Sequence, residues 1–189
     1  MNKKVLVIGG AGYLGAVLCD RLLSEGYSVR ILDSFIYGKR SVEKYSGNSN
    51  VEIIEGDIRN IETVNLAIRD SGSVILLAAV VGDPASKARP EQTVETNFLA
   101  AQVVASSAKL AGVSKFIYAS TCSVYGVGSD ILNEEAPLNP VSLYAKTKIS
   151  SEESIMGIAD GNFRPVIMRI STLYGWSPRM RFDLVVNTM

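Results

Sequence analysis

Val5-Leu6-Val7-Ile8-Gly9-Gly10-Ala11-Gly12-Tyr13-Leu14-Gly15 runs from a short apolar strand through a glycine turn into a stretch with helical spacing. Each glycine has its own geometric task. Gly9 and Gly12 permit a tight turn and the close approach of a pyrophosphate, which then faces the unpaired N–H groups of the helix that opens at Tyr13 and Leu14. Gly15 lets that helix lie close against the sheet. A second strand ends at Asp33, 18 residues beyond Gly15. There a carboxylate can accept both hydroxyls of an adenosine ribose and repel a 2′-phosphate. The segment therefore predicts a dinucleotide site with NAD preferred to NADP. The structural alternative, a strand, turn and helix with glycines for geometry alone, gives the same local backbone and leaves Asp33 as a plain turn residue.

Outward from this turn, short runs rich in Val, Ile and Leu recur at 4–8, 28–32, 51–54, 74–77, 115–119 and 166–169. Helical patterns lie between them at 13–25, 61–69, 93–111 and 142–158, the third with Val94, Phe98, Ala101, Val104, Ala105 and Ala108 at helical spacing. This alternation predicts an α/β fold, a doubly wound parallel sheet covered on both faces. Gly26 and Gly112 stand just past two of the helices, where a C-terminal stop belongs. Residues 126–140 hold two glycines, two prolines and the acidic pair Glu134-Glu135, and read as one long loop of a kind that is often functional. After Tyr174-Gly175 the chain passes Trp176-Ser177-Pro178 and turns apolar at Leu184, Val185 and Val186, the expected start of a further helix. No internal repeat or linker interrupts the pattern.

A chain of 189 residues, 47% of them apolar, suits one domain of ordinary size. Its 19 Lys+Arg balance 19 Asp+Glu with no basic cluster. That argues against nucleic acid and against an anionic membrane, which both recruit proteins through surplus positive charge. No apolar run approaches a membrane span, and Met-Asn-Lys-Lys leads into too short an apolar stretch for a targeting signal. The absence of histidine excludes Ser-His-Asp and Cys-His nucleophile pairs, His-based zinc sites and imidazole acid/base chemistry. Cys19 and Cys122 are far apart with no C-x-x-C, so neither a metal site nor a disulfide framework is signalled and a reducing, cytoplasmic location is expected.

Any catalysis must therefore use other groups. Tyr144 and Lys148 are four apart, on one face of a helix that opens near Tyr144. A lysine cation beside a phenol favours the phenolate and lowers its pKa toward neutrality, which would let the tyrosine exchange a proton with a hydroxyl at working pH. The same spacing also occurs on surface helices with two snorkelling side chains. Thr121 follows Phe116-Ile117-Tyr118-Ala119-Ser120 at the carboxyl end of the fifth strand, where ligands of open α/β sheets sit. Its hydroxyl can both donate and accept, and Ser120 is a rival for that role. Cys122 reads as a small apolar filler beside the sheet rather than a nucleophile. Tyr125 and Trp176 are candidates either for stacking on a base or sugar or for core packing.

Taken in order, Gly9-x-x-Gly12-x-x-Gly15, Gly56-Asp57-Ile58-Arg59, Leu77-Ala78-Ala79, Asn97, Ser120-Thr121-Cys122-Ser123-Val124-Tyr125-Gly126 and Tyr144-Ala145-Lys146-Thr147-Lys148 resemble the extended short-chain dehydrogenase/reductase superfamily. More narrowly, the chain resembles its NAD-dependent nucleotide-sugar epimerase/dehydratase branch, from Lys4 to about Gly175. The resemblance implies a Rossmann-type NAD-binding domain over 1–175 and the start of a substrate-binding region over 176–189, with most of a C-terminal substrate domain lacking. It implies NAD contacts at Gly9, Gly12, Tyr13, Leu14, Gly15 and Asp33, and adenine framed by Asp57 and Ile58. Leu77, Ala78 and Ala79 would line the cofactor after the fourth strand, and Ala119 and Ser120 at the end of the fifth. Asn97 would brace the region near the catalytic lysine. Thr121 rather than Ser120 would be the catalytic hydroxyl, beside Tyr144 and Lys148, with Lys148 also bonding the nicotinamide ribose. Leu76 stands where many members carry His. The resemblance also implies a nucleotide-sugar substrate and a homodimer joined through helices 93–111 and 142–158.

Members of this branch first oxidise the sugar, usually at C4, and then diverge. Sugar 4,6-dehydratases carry an Asp-Glu pair directly after the catalytic Thr, where this chain has Cys122 and Ser123. UDP-glucuronate decarboxylases place Glu at the Ser123 position. Fucose-type 3,5-epimerase/reductases use Cys there and a His after the Tyr174-Gly175 element, and this chain has neither. The set that remains suits a 4-epimerase. The alternatives are a sugar reductase or dehydrogenase, and a non-catalytic dinucleotide-binding sensor of the same fold. Thr172 stands where UDP-galactose 4-epimerases usually show an Asn that contacts the substrate diphosphate. Arg179-Met180-Arg181 is then a candidate to meet a diphosphate, or a solvated loop. Because members continue well past Tyr174-Gly175, the 189 residues alone are expected to bind NAD and to turn over nucleotide sugar poorly.

Overall fold

The computed structural model describes residues 4–128 and 131–189. The expectations for Met1-Asn2-Lys3 and for Ser129-Asp130 of the long loop lie outside the described residues. Six strands form the sheet: β1 (Lys4–Ile8), β2 (Ser28–Asp33), β3 (Val51–Glu55), β4 (Ser73–Leu76), β5 (Lys115–Thr121) and β6 (Arg164–Ile170). They run parallel in the order β3-β2-β1-β4-β5-β6. This is the expected doubly wound, Rossmann-type sheet. Ile8 is level with Leu32 on one side and Leu76 on the other, so the strand ends line up. The winding reverses between β1 and β4, and the connections leaving their carboxyl ends part there to open a crevice.

The helices are α1 (Tyr13–Ser24), α2 (Ile61–Ile68), α3 (Asp83–Ala88), α4 (Pro90–Val94), α5 (Ala101–Leu110), α6 (Leu143–Gly157) and a final turn, α7 (Val185–Thr188). A π-helical stretch, Glu95–Ala100, joins α4 to α5, so the periodic pattern at 93–111 sits in one nearly continuous rod. The widened turn has a cause. The carbonyl of Asn97 accepts from Ser151 Oγ at 2.5 Å and Tyr118 Oη at 3.4 Å, groups outside its own helix. The pattern did not foresee α3, which has six residues and starts with Pro84 in its first turn. It also ended β5 two residues early and drew β6 short at both ends. In the structure their pairing runs from Lys115 opposite Arg164 to Thr121 opposite Ile170, and Pro165 is tolerated because β6 is an edge strand.

Alternation along β1 divides the core. Leu6 and Ile8 point to one face with Leu32, Val74, Leu76, Phe116 and Tyr118, beneath α2, α5 and α6. Val5 and Val7 point to the other with Val29, Ile31 and Ile75, beneath α1. Both faces of the central strands are therefore apolar. Phe116 is fully buried and its ring centre lies 5.6 Å from that of Phe163. In urea unfolding, Phe116→Ala is expected to lose about 3–5 kcal/mol. Leu110→Ala, at a position 89% exposed, should stay within about 0.5 kcal/mol.

Candidate active site

The turn after β1 is clamped from both sides. Gly9 N donates to the Leu32 carbonyl at 2.8 Å, and a Cβ on Gly9, whose φ is +87°, would fall 2.7 Å from Ala78 N. A Cβ on Gly15 would fall 2.2 Å from the Gly9 carbonyl oxygen, so α1 can lie this close to the turn only with glycine there. Gly12 meets only that same oxygen, at 3.2 Å, and otherwise opens on the crevice. α1 then starts with no side-chain cap and no acidic residue in its first turn, so its leading N–H groups suit an anion. Asp33 holds the turn as well as facing the crevice. Its Oδ2 accepts from Ala11 N and its Oδ1 from Phe35 N, each at 2.9 Å. Each oxygen keeps lone-pair capacity for a ribose hydroxyl. An uncapped helix start, a glycine face and a fixed carboxylate together fit a dinucleotide.

These groups line a cleft of about 670 Å³ at the carboxyl edge of the sheet. Its wall includes Gly9, Gly12, Tyr13, Leu14 and Gly15, then Asp33, Asp57 and Ile58, then Leu77, Ala78 and Ala79, and finally Ala119, Ser120, Thr121, Tyr144 and Lys148. Asn97 alone among the expected site residues is absent from that wall. It is buried, and its side chain accepts from Val80 N at 2.7 Å and donates to Val80 O at 2.8 Å. It thus pins the loop after β4 from behind, while its main-chain carbonyl takes the Ser151 hydroxyl of α6. Asp57 is ion-paired at 2.7 Å with Arg59, whose hydrogen bonds hold the Asp57 carboxyl below its usual range.

Other wall residues carry no sequence period and were not foreseen: Ile36 and Tyr37 after β2, Val81 and Gly82 after β4, and Ser171 and Leu173 after β6. Arg179 and Arg181 line the cleft too, with the Arg179 guanidinium 3.9 Å from the centre of the Tyr37 ring and Arg181 paired to Asp183. The segment that carries them is strapped to the start of α1. Tyr13 Oη donates to Gly175 O at 2.6 Å, and Ser177 Oγ donates to Tyr13 O at 2.7 Å. Trp176 is exposed, which ends its core-packing alternative, and Tyr125 lies against the Arg169 guanidinium.

Ser142 caps α6 by accepting from Ala145 N, and one turn of that helix places Tyr144 and Lys148 together facing β5. Lys148 is 2% exposed, and its ammonium donates to Ala119 O at 2.7 Å and lies 4.6 Å from the centre of the Tyr118 ring. Burial pushes its pKa down to about 7, against the opposing pull of Glu152. The phenol of Tyr144 differs from expectation: its pKa is raised, not lowered. Burial is the largest cause, and hydrogen bonding with Thr121 and the charge of Arg181 act against it. Lys148 does not reverse this because its ammonium is bonded to Ala119 O and lies 5.9 Å from the Tyr144 ring centre.

Between the two rival hydroxyls the structure makes a distinction. Ser120 donates to the carboxylate of Glu152, on the side away from Tyr144's partner. Thr121 Oγ1 accepts from Ser123 N and donates to Ser123 Oγ, each at 3.1 Å, and it is the hydroxyl whose presence lowers the Tyr144 phenol pKa. Cys122 does not fill space beside the sheet. The chain enters a 3₁₀ turn, Cys122–Tyr125, directly after β5, which swings Cys122 out to an exposed place on the cleft wall.

Residues 5–188 match the NAD dependent epimerase/dehydratase family. The chain belongs to this family. It is 31% identical over 175 residues to a UDP-glucose 4-epimerase of Rhizobium leguminosarum bv. trifolii, a match that covers 89% of this chain and 51% of the relative. It is also 31% identical over 182 residues to a UDP-N-acetyl-alpha-D-glucosaminuronate decarboxylase of Bacillus cytotoxicus, covering 93% of this chain and 56% of that protein. The chain thus spans about half the length of these curated relatives. Among solved structures, a UDP-glucuronic acid 4-epimerase from Bacillus cereus in complex with UDP-glucuronic acid and NAD superposes with a TM-score of 0.88 at 32% identity, over 97% of this chain and 60% of that one. The family is NAD-dependent, its structural neighbours hold NAD, and the glycine turn, helix start and Asp33 fit that cofactor.

Two outcomes follow for the epimerase/dehydratase site. Gly12→Ala adds a carbon on the face open to the cleft, so NADH affinity by fluorescence titration should fall at least about tenfold while the melting temperature moves by only a few degrees. Lys148 makes the converse case. Its folded-state pKa lies below its unfolded value, so the cost of burying the charge is complete below about pH 7 and declines as pH rises toward 10.5. Lys148→Met should therefore raise the melting temperature near pH 6, with a gain that shrinks toward pH 10. An unchanged or lower melting temperature near pH 6 contradicts this account of the lysine.

Proposed function

We propose that the chain carries the NAD-binding and catalytic portion of a nucleotide-sugar 4-epimerase, with residues 176–189 beginning its substrate-binding region. The observation that carries this reading is the grouping of Thr121, Tyr144 and Lys148 on the cleft wall, with Cys122 and Ser123 in the two positions after Thr121. Neither neighbour is a carboxylate, so the wall beside Thr121 offers no acid/base pair for eliminating water. NAD bound in the cleft supplies the acceptor and donor of hydride.

The chain's own residues handle the proton and the geometry. As phenolate, the Tyr144 oxygen would take the proton of the sugar hydroxyl as that carbon is oxidised and would return it when the keto-sugar is reduced on the opposite face. The Thr121 hydroxyl, on the same cleft wall as the phenol, orients the reacting oxygen. Burial keeps Tyr144 protonated in the free chain, so the phenolate depends on positive charge arriving with the oxidised cofactor and on Arg181, whose charge already pulls its pKa down. The basic pair Arg179 and Arg181 on the same wall suits the diphosphate of a nucleotide sugar. Exposed Leu99 and Met156, on the outer sides of the rod that ends in α5 and of α6, suit pairing with a second copy.

The test is a panel of UDP-, GDP-, CDP- and dTDP-sugars incubated with NAD and a full-length version that carries a complete substrate-binding region, since the 189 residues alone are expected to turn over poorly, with C4 configuration read by NMR. Interconversion is expected, and Tyr144→Phe should slow it at least about 100-fold while NADH affinity stays within about threefold. Net consumption of external NAD or NADH without an epimerised product would make the protein a sugar dehydrogenase or reductase. No turnover, together with an unaffected Tyr144→Phe variant, would leave a dinucleotide-binding sensor.

A further inference from the structure

Behind the catalytic face of α6 lies a buried carboxylate that the mechanism above does not use. Glu152 is four residues past Lys148 and eight past Tyr144, on the same stripe of the helix, and its side chain is only 7% exposed. A carboxylate at that depth is costly unless its lone pairs are met. Here they are. Ser120 donates to Oε1, and Arg169 of β6 binds Oε2 through Nη2 at 2.7 Å and Nε at 3.0 Å. Arg169 is held in turn by Tyr125 Oη at 3.0 Å and by the Glu134 carbonyl at 2.9 Å.

The placement of these partners gives the carboxylate its consequence. Ser120 lies between Ala119, whose carbonyl receives the Lys148 ammonium, and Thr121, which shares the cleft wall with Tyr144. One carboxylate therefore joins the end of β5 to the helix that carries both catalytic side chains, and occupies the hydroxyl that would otherwise compete with Thr121. We propose that Glu152 is a positioning residue of the active site: it fixes the β5 end against α6 and sustains the positive charge of Lys148. This rests on the reading of Tyr144 and Lys148 as the catalytic pair.

The groups around Lys148 are few. Tyr118 and Ala119 face it from β5, Tyr144 and Glu152 from its own helix, and among these Glu152 supplies the negative charge. Around Glu152 stand Ser120 and Tyr118 of β5, and Arg169 of β6 with Tyr125 behind it. Arg169 offsets part of the carboxylate's field, and the remainder favours the ammonium form of Lys148.

A neutral amide at position 152 keeps shape and loses the charge. The experiment is a pH titration of the protein labelled with ¹³Cε-lysine, its Lys148 resonance assigned with Lys148→Met, run beside NADH binding by fluorescence. In Glu152→Gln the Lys148 midpoint is expected to fall by at least about half a pH unit, with NADH affinity lost at correspondingly lower pH. Ser120→Ala, which leaves the ion pair in place, should keep the midpoint within about 0.2 unit. A folded Glu152→Gln variant with the parent midpoint would overturn the inference, because a purely structural ion pair would leave Lys148 unmoved. If Glu152→Gln does not fold, Glu152→Asp keeps the charge and withdraws from Ser120. It should hold the midpoint and weaken NADH binding at least threefold, and unchanged binding would overturn the inference.

The two readings fail separately. Sugar turnover that survives Tyr144→Phe sinks the proposed function whatever Lys148 does. An unmoved Lys148 midpoint in folded Glu152→Gln sinks only the role of Glu152.

Discussion

The backbone of Gly9 passes so near the loop after β4 that one added carbon would come within 2.7 Å of Ala78 N, while its carbonyl lies where a Cβ on Gly15 would have to be. The mouth of the cleft follows from these two contacts. With no side chain between them, β1, the loop after β4 and the first turn of α1 approach closely, and the helix start is brought to the point where the winding of the sheet reverses. Asp33 then does double service. By accepting from Ala11 and Phe35 it holds the turn closed, and in doing so it fixes its own oxygens where a ribose would meet them.

At the other part of the cleft the constraint is electrical. Lys148 is an ammonium in a nearly dry place, stabilised by the Ala119 carbonyl, the face of the Tyr118 ring and the carboxylate of Glu152. An apolar residue there would fold more easily. The site keeps a charge that the folded state disfavours, a common relation between stability and activity in binding sites. Tyr144 stands in the same dry surroundings with the opposite sign of problem. Burial holds the proton on its phenol, against the opposing charge of Arg181.

The glycine spacing, the end of β2 at Asp33, the hydroxyl after β5 and the Tyr144/Lys148 pair were all visible in the sequence because each depends on short-range geometry. Strand and helix periods placed them at the carboxyl edge of a parallel sheet, where the structure also has them. The shorter or irregular parts were not visible. α3 has too few residues to show a period, and the π-helical stretch at Asn97 arises from hydroxyls of Tyr118 and Ser151 that are distant in sequence. Cys122 looked like an inward filler because it follows an apolar strand, and the 3₁₀ turn that exposes it begins at that very residue.

The sequence by itself determined the order of the main strands and helices along the chain, the glycine turn and the candidate residues that gather on the cleft wall, since periodicity and local spacing are properties of neighbours along the chain. Only the tertiary structure decided which of two adjacent hydroxyls is taken up by Glu152, which way the Tyr144 pKa moves, and that Asn97 serves from behind the wall. It also brought Glu152 and Arg169 together behind the site and strapped the Gly175–Asn187 segment to Tyr13. The physical reason is common to all of these. Burial and pairing across the sheet set hydrogen-bond partners and the cost of charge, and neither is defined until distant segments have packed.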